Sequence, residues 1–291
     1  MNQHSLEAEF ASLHPKELFN RRDFLVTSLG SGFALAVQPV EAQSLITTDS
    51  EGLLAGEIKV PVADGEMVAY RAAPANARNA AVVLVVSEVF GVHEHIADVC
   101  RRLAKQGYLA IAPELFARYG NPRAYTSIPE LFANVVSKAD DAVVMSDLDA
   151  CVAWAGKHGG DSSRLAITGF CWGGRITWLY SAHSTKVAAA VAWYGKLDGI
   201  PTAQQPTYPI DVVTKIKTPV LGLYGATDQG IPLTDVDAMR QALEKQGSKS
   251  HIHVYPGVGH AFHADYRPSY RKPEAEDGWK RMLAWFKNNG V

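Results

Sequence analysis

Cys171 stands in the segment Gly169-Phe170-Cys171-Trp172-Gly173-Gly174, with glycine two residues away on each side. This is the spacing of a G-x-S-x-G nucleophile elbow with cysteine in the serine position. The spacing has a mechanical cause. A strand that turns sharply into a helix strains the nucleophile's backbone and crowds its neighbours, so glycine is needed on both flanks. The turn aims the side chain at a pocket. It also leaves the Trp172 N–H near a helix N-terminus, where it can donate to an oxyanion and where the helix dipole favours a thiolate. Two partners follow: Asp228 ends Gly225-Ala226-Thr227-Asp228, and His260 ends Gly257-Val258-Gly259-His260. His260 would take the thiol proton and later activate water, while Asp228 would fix its tautomer and support the imidazolium. Taken singly, Cys171 could be a buried structural cysteine, Asp228 a turn former and His260 a surface loop residue. The order nucleophile, acid, histidine favours catalysis.

Glu88 follows the apolar run Ala80 to Val86 by two residues and opens Glu88-Val89-Phe90-Gly91. Its carboxylate would face the same pocket mouth, and the Val89 N–H could be a second oxyanion donor. The competing reading is a solvated glutamate at a strand end. Trp193 and Tyr194 end another apolar run at the pocket rim; both could contact substrate, Tyr194 being the pocket candidate, or both could be core. His93 and His95 are two apart and would diverge on a helix, so no metal site is expected. Cys100 and Cys151 sit on apolar helix faces and read as core. No cofactor is implied.

These residues need a scaffold that brings strand ends together. Ala80 to Val86 is almost unbroken apolar and β-branched, as in a strand buried on both faces of a parallel sheet. Tyr108 to Ala112, Arg164 to Thr168, Val187 to Trp193, Pro219 to Tyr224 and His251 to Tyr255 are similar. Helical patterns lie between them, at about Glu94 to Gln106, Asp141 to Lys157, Gly174 to His183 and Thr234 to Gln246. A last helix puts Trp279, Met282, Leu283 and Phe286 on one face and stops at Gly290. Glu57 to Val62 and Glu66 to Arg71 could pair as an antiparallel edge. The alternation predicts an α/β fold, a mostly parallel twisted sheet with helices on both faces. Ligands bind at the carboxyl ends of such strands, where Glu88, Cys171, Tyr194, Asp228 and His260 fall.

The chain has 291 residues, 20% charged, with a formal net charge of -2, and no basic excess to suggest nucleic acid. Three cysteines cannot form a disulfide framework. Arg21 and Arg22 precede a short, weakly apolar run from Leu29 to Val37 and then Val40-Glu41-Ala42. A permanent membrane span needs about 20 apolar residues, so no stable insertion is expected. Paired arginines, a short apolar stretch and a small-residue exit read instead as a twin-arginine export signal over residues 1–42, with a periplasmic enzyme over 43–291. A disordered leader on a cytoplasmic protein is the alternative. A monomer is expected.

The residues together resemble the dienelactone hydrolase family, within the α/β-hydrolase fold, and more closely its bacterial carboxymethylenebutenolidase-like members. The resemblance rests on Glu88 to His95, Gly107-Tyr108-Leu109-Ala110-Ile111-Ala112-Pro113-Glu114, Gly169 to Arg175 and Gly259-His260-Ala261-Phe262, and covers nearly everything after the leader. It implies a Cys171, His260, Asp228 triad acting on small esters or lactones. By the same match Glu88 contacts the cysteine and helps generate thiolate when substrate arrives. Family members that open dienelactone hold its carboxylate with arginines, one of them four residues after the histidine; here Arg267 and Arg271 lie near that position but match neither arginine of the clamp. This chain has Ala264 there, so neutral esters are expected to compete well with charged ones. A thiolate also leaves readily, so the chemistry favours esters whose leaving group is a stable anion, such as enol lactones or aryl esters. Another activated acyl or thioester substrate is the alternative within the same chemistry; a non-catalytic ligand-binding homologue is the alternative outside it.

Overall fold

In a computed structural model, which describes residues 46–291, the apolar runs become the strands of an eight-stranded sheet. The expected leader, residues 1–42, lies outside the described residues. In chain order the elements are β1 (Leu53–Val62), β2 (Gly65–Pro74), β3 (Ala80–Val86), α1 (Glu94–Lys105), β4 (Leu109–Pro113), α2 (Ile128–Asn134), α3 (Asp141–Lys157), β5 (Gly160–Phe170), α4 (Trp172–His183), β6 (Val187–Trp193), β7 (Val220–Gly225), α5 (Leu233–Lys245), β8 (His251–Tyr255) and α6 (Lys272–Asn288). Across the sheet the order is β1-β2-β4-β3-β5-β6-β7-β8. β1 and β2 form an antiparallel edge, β2 pairs antiparallel with β4, and every later pairing is parallel. The expected α/β architecture is therefore present.

Local chemistry explains the elements. All seven residues of β3 are buried because strands flank it on both sides and helices cover the sheet. α3 starts where the Asp140 carboxylate accepts the N–H groups of Ala142 and Val143 at 2.9 and 3.2 Å. α6 buries Ala275, Gly278, Met282 and Phe286 at helical spacing, and Gly290 follows its end at φ 85°. One boundary moves substantially. β5 begins at Gly160 rather than near Arg164, because Gly160 and Asp161 pair with Ala80 and Ala81 before a register shift. That polar stretch carries no strand pattern. α2 was likewise not anticipated; its seven residues bury only Ile128 and Leu131, too few to leave a periodic signal. No described helix is long and apolar enough to cross a membrane.

The strand ends are knitted together beyond the sheet proper. The Cys171 N–H donates to the Trp193 carbonyl at 3.0 Å, and the Tyr194 N–H to the Leu223 carbonyl at 2.8 Å. The turn after β7 is tied to the turn after β8: Ala226 N–H donates to the Tyr255 carbonyl at 2.9 Å, and Thr227 N–H to the Val258 carbonyl at 2.8 Å. Gly225 has no room for a side chain there, since a Cβ would sit 2.4 Å from the Val258 carbonyl oxygen. The backbone alone thus brings the Asp228 and His260 turns side by side.

Candidate active site

Cys171 joins β5 to α4 at φ 55° and ψ -116°, a left-handed conformation that is rare and costly for a residue with a side chain. The flanking glycines are required by contact. A Cβ on Gly169 would fall 2.2 Å from the Gly173 carbonyl oxygen, and one on Gly173 would fall 2.3 Å from that of Val86. The Cys171 carbonyl accepts the N–H groups of Gly174 and Arg175, so the Trp172 N–H, earlier in the turn, has no intrahelical acceptor. The thiol does not stand open to solvent as a bare elbow suggests: Cys171 is only 4% exposed, and Val89, Trp172, Tyr194 and Phe262 near the strand ends are buried too. Cys100 and Cys151 are core, as expected, and burial pushes both thiols far up.

Asp228 and His260 meet as the sequence order requires. The His260 Nδ1–H donates to Asp228 Oδ2 at 2.7 Å, while Asp228 Oδ1 accepts from the N–H groups of Gly230 and Ile231 at 2.9 and 3.2 Å. Burial works against an imidazolium at His260. The Asp228 carboxylate, followed by Cys171, outweighs it and holds the ring well above its usual value. Nε2 has no hydrogen-bond partner of good geometry, although the Cys171 thiol is close enough to add to the rise. Tyr194, at φ 37°, turns its ring edge-on to His260 with centroids 5.0 Å apart. Its hydroxyl is buried and unpartnered, and burial, then the charge of Glu88, pushes the phenol well up, so it stays a neutral donor. Trp193, by contrast, is core, its Nε1–H bonded to Thr168 Oγ1 at 3.1 Å.

Glu88 is fully buried, which rules out the solvated reading. Its Oε2 accepts hydrogen bonds from His93 Nε2 at 3.3 Å and from the Tyr266 hydroxyl; Oε1 has no partner, so no hydrogen bond to Cys171 is made here. Burial favours the neutral acid, but the His93 contact and then the charge of Arg267 hold the carboxyl below its usual range. Val89 is buried beside it. His93 and His95 do not diverge. His93 is the extended N-cap of α1 rather than a helical residue, so both rings turn inward and lie 6.1 Å apart. They bond carboxylates, His93 to Glu88 and His95 to Asp265 at 2.9 Å, and no metal-holding group is found among the described residues.

Ala264 is buried, and Arg267, three residues further on, is buried with its charge acting on Glu88. The Arg267 guanidinium lies over the rings of Phe90 and Tyr266, at 5.4 and 5.8 Å, and its charge acts on Glu88, Tyr194 and Tyr266. The residue is 5% exposed, and Nη1 has no hydrogen-bond partner. Sequence reading missed Tyr266 altogether. The only signal was its place six residues after His260, in the run that also supplies Asp265 and Arg267.

Buried polar atoms are normally bonded. Here Ser87 Oγ, Glu88 Oε1, Trp172 Nε1, Tyr194 OH, His260 Nε2 and Arg267 Nη1 are buried without partners, and all belong to the strand-end segments. The surface hollow at the other end of the sheet, lined by Ser162, His183 and Lys186 near the starts of β5 and β6, has no comparable set.

Comparison with known proteins identifies the family. The profile of the "Dienelactone hydrolase family" matches residues 67–290. The "putative carboxymethylenebutenolidase" of Methylorubrum extorquens is 56% identical over 288 residues, covering 99% of each chain. The protein of the same name from Escherichia coli K12 is 51% identical over 267 residues, 91% of this chain and 98% of its own. A crystal structure of a "putative dienelactone hydrolase" from Klebsiella pneumoniae superposes with a TM-score of 0.80 at 56% identity, covering 81% of this chain and 98% of that one. The chain belongs to the dienelactone hydrolase family and is a hydrolase of that type.

Proposed function

We propose that this enzyme opens small activated esters or lactones through a thioester on Cys171. One observation carries the reading: a strained elbow cysteine and a bonded His260–Asp228 pair stand at neighbouring strand ends, beside unpartnered polar groups. His260 holds the thiol proton as an imidazolium stabilised by Asp228. The sulfur adds to the carbonyl carbon, and the oxyanion is received by the N–H groups of Trp172 and Val89. Collapse breaks the C–O bond, His260 returns the proton to the leaving oxygen, and the acyl group remains as a thioester. His260 then takes a proton from water, whose oxygen displaces the sulfur. Glu88 assists thiolate formation once its hold by His93 and Tyr266 loosens.

The test is the rate at which iodoacetamide labels each cysteine, read beside p-nitrophenyl acetate hydrolysis. Cys171 should label first, with loss of activity in step, because burial keeps the Cys100 and Cys151 thiols protonated. Glu88→Gln should slow labelling near neutral pH and lower turnover strongly. Activity that survives complete labelling of Cys171 would remove the reading. An unchanged Glu88→Gln enzyme would remove only the glutamate's role.

The substrate also carries a carboxylate on this reading, received by Arg267. The relatives' name denotes an enzyme for a carboxylate-bearing enol lactone, and a buried guanidinium with an unpartnered nitrogen suits that group. A charged hydrogen bond of this kind contributes a few kcal/mol, or roughly a hundredfold in specificity. Matched lactones with free and methylated carboxylates should therefore differ by about that factor in kcat/KM, and Arg267→Met should erase the difference. Equal rates for the two lactones with the unaltered enzyme would assign Arg267 a structural part alone.

A further inference from the structure

Glu114 closes the run Gly107 to Glu114, which carries the family resemblance but has no part in the chemistry above. It lies just past β4, is 8% exposed, and turns its carboxylate onto the neighbouring loop rather than into solvent. Oε2 accepts the Val92 N–H at 3.0 Å. Oε1 has no hydrogen-bond partner and is pressed against Gly91, where a Cβ would sit 2.3 Å away. Gly91 is also at φ 73°, so contact and backbone both demand glycine there. The Val92 carbonyl is held as well, by Arg123 Nη1 at 2.7 Å. Both backbone groups of Val92 are thus gripped by side chains from the segment after β4. Inside the loop, the Gly91 N–H donates to the Glu88 carbonyl at 3.2 Å. The turn that contains Val89 is therefore anchored by β3 at one end and by Glu114 at the other.

We propose that Glu114 is a positioning residue for the oxyanion site: by gripping Val92 and pressing on Gly91 it fixes the direction of the Val89 N–H. This rests on the roles given above to Val89 and Cys171. An oxyanion donor must lie within about 2.7–3.1 Å of where the charged oxygen forms, and a displacement of about 1 Å costs roughly a hundredfold in rate. No catalytic side chain needs to move for that loss to appear. Either an ionised or a neutral carbonyl-type oxygen can accept the Val92 N–H, so glutamine should retain most of the grip.

The two reactions of Cys171 separate this role from others. Iodoacetamide forms a carbon–sulfur bond at a saturated carbon and expels iodide, so no oxyanion develops; ester hydrolysis needs one. In Glu114→Ala, kcat for p-nitrophenyl acetate should fall roughly a hundredfold while KM and the labelling rate of Cys171 stay within about threefold. Glu114→Gln should restore kcat to within about fivefold of the unaltered enzyme. Gly91→Ala, which leaves Glu114 in place but forces the same contact apart, should show the same split and serves if Glu114→Ala does not fold. Turnover and labelling that fall together would put the effect on the thiol, and full turnover in either Glu114→Ala or Gly91→Ala would show that the contact positions nothing; each overturns the proposal. Activity retained by Cys171→Ala would instead remove the reading on which it rests.

Discussion

Cys171→Ala should lower the turnover of p-nitrophenyl acetate by about four to six orders of magnitude, as removal of a covalent nucleophile does when its partners cannot substitute for it. The fold should survive the change. Cys171 already holds a Cβ in the left-handed region, so alanine adds no backbone strain, and the glycine contacts at Gly169 and Gly173 are untouched. The sulfur caps nothing: no side-chain hydrogen bond is made at the start of α4. Stability should therefore change by only about 1 kcal/mol, the loss expected for a small buried group. Thermal unfolding beside steady-state kinetics checks both parts. A variant that unfolds near the original temperature and keeps more than about a tenth of its turnover would show that the nucleophile is another group.

How much of this site was legible depended on how local its causes are. The elbow could be read because its glycines answer contacts within a few residues, Gly169 against the Gly173 carbonyl and Cys171 itself at the turn. Asp228 and His260 could be read because each follows a strand with a clear apolar pattern, and parallel strands place all such ends together. Glu88 was legible in place but not in company. Its partner Tyr266 is 178 residues away in sequence, and His95 meets Asp265 across 170. No spacing rule reaches that far. His93 and His95 differ from expectation for another reason: a helical period does not apply to His93, which as the N-cap lies outside α1. Which arginine stands near Glu88 was hidden for a like reason: Arg267 and Arg271 are both close to Ala264 in the chain, and only the fold sets Arg267 over Phe90. The polar start of β5 stayed hidden because its pairing with Ala80 and Ala81 is set by the partner strand.

Asp228→Asn should cost about four orders of magnitude in turnover even though it changes one oxygen to an amide nitrogen. The geometry says why. Asp228 Oδ1 accepts from the N–H groups of Gly230 and Ile231, and Oδ2 accepts from His260 Nδ1. An asparagine must turn its single acceptor oxygen toward the two backbone donors, which leaves its amide N–H groups facing Nδ1. That nitrogen must then be the acceptor, so the neutral ring carries its proton on Nε2, toward the sulfur, and cannot receive another from the thiol. The same change should be visible in stability. Burial disfavours the imidazolium and Asp228 reverses this, so the folded value of His260 lies well above the unfolded one. A raised value adds stability that is fully present below the unfolded value, near 6.5, and is lost as pH rises through the folded one. The unaltered enzyme should therefore exceed Asp228→Asn in stability most clearly at mildly acidic pH, and the gap should narrow toward alkaline pH. Denaturant midpoints across pH and kcat at the optimum measure both effects. Turnover within about tenfold of the unaltered enzyme would mean that Asp228 does not set the tautomer, and a gap that widens with pH would mean that His260 is not held as the cation.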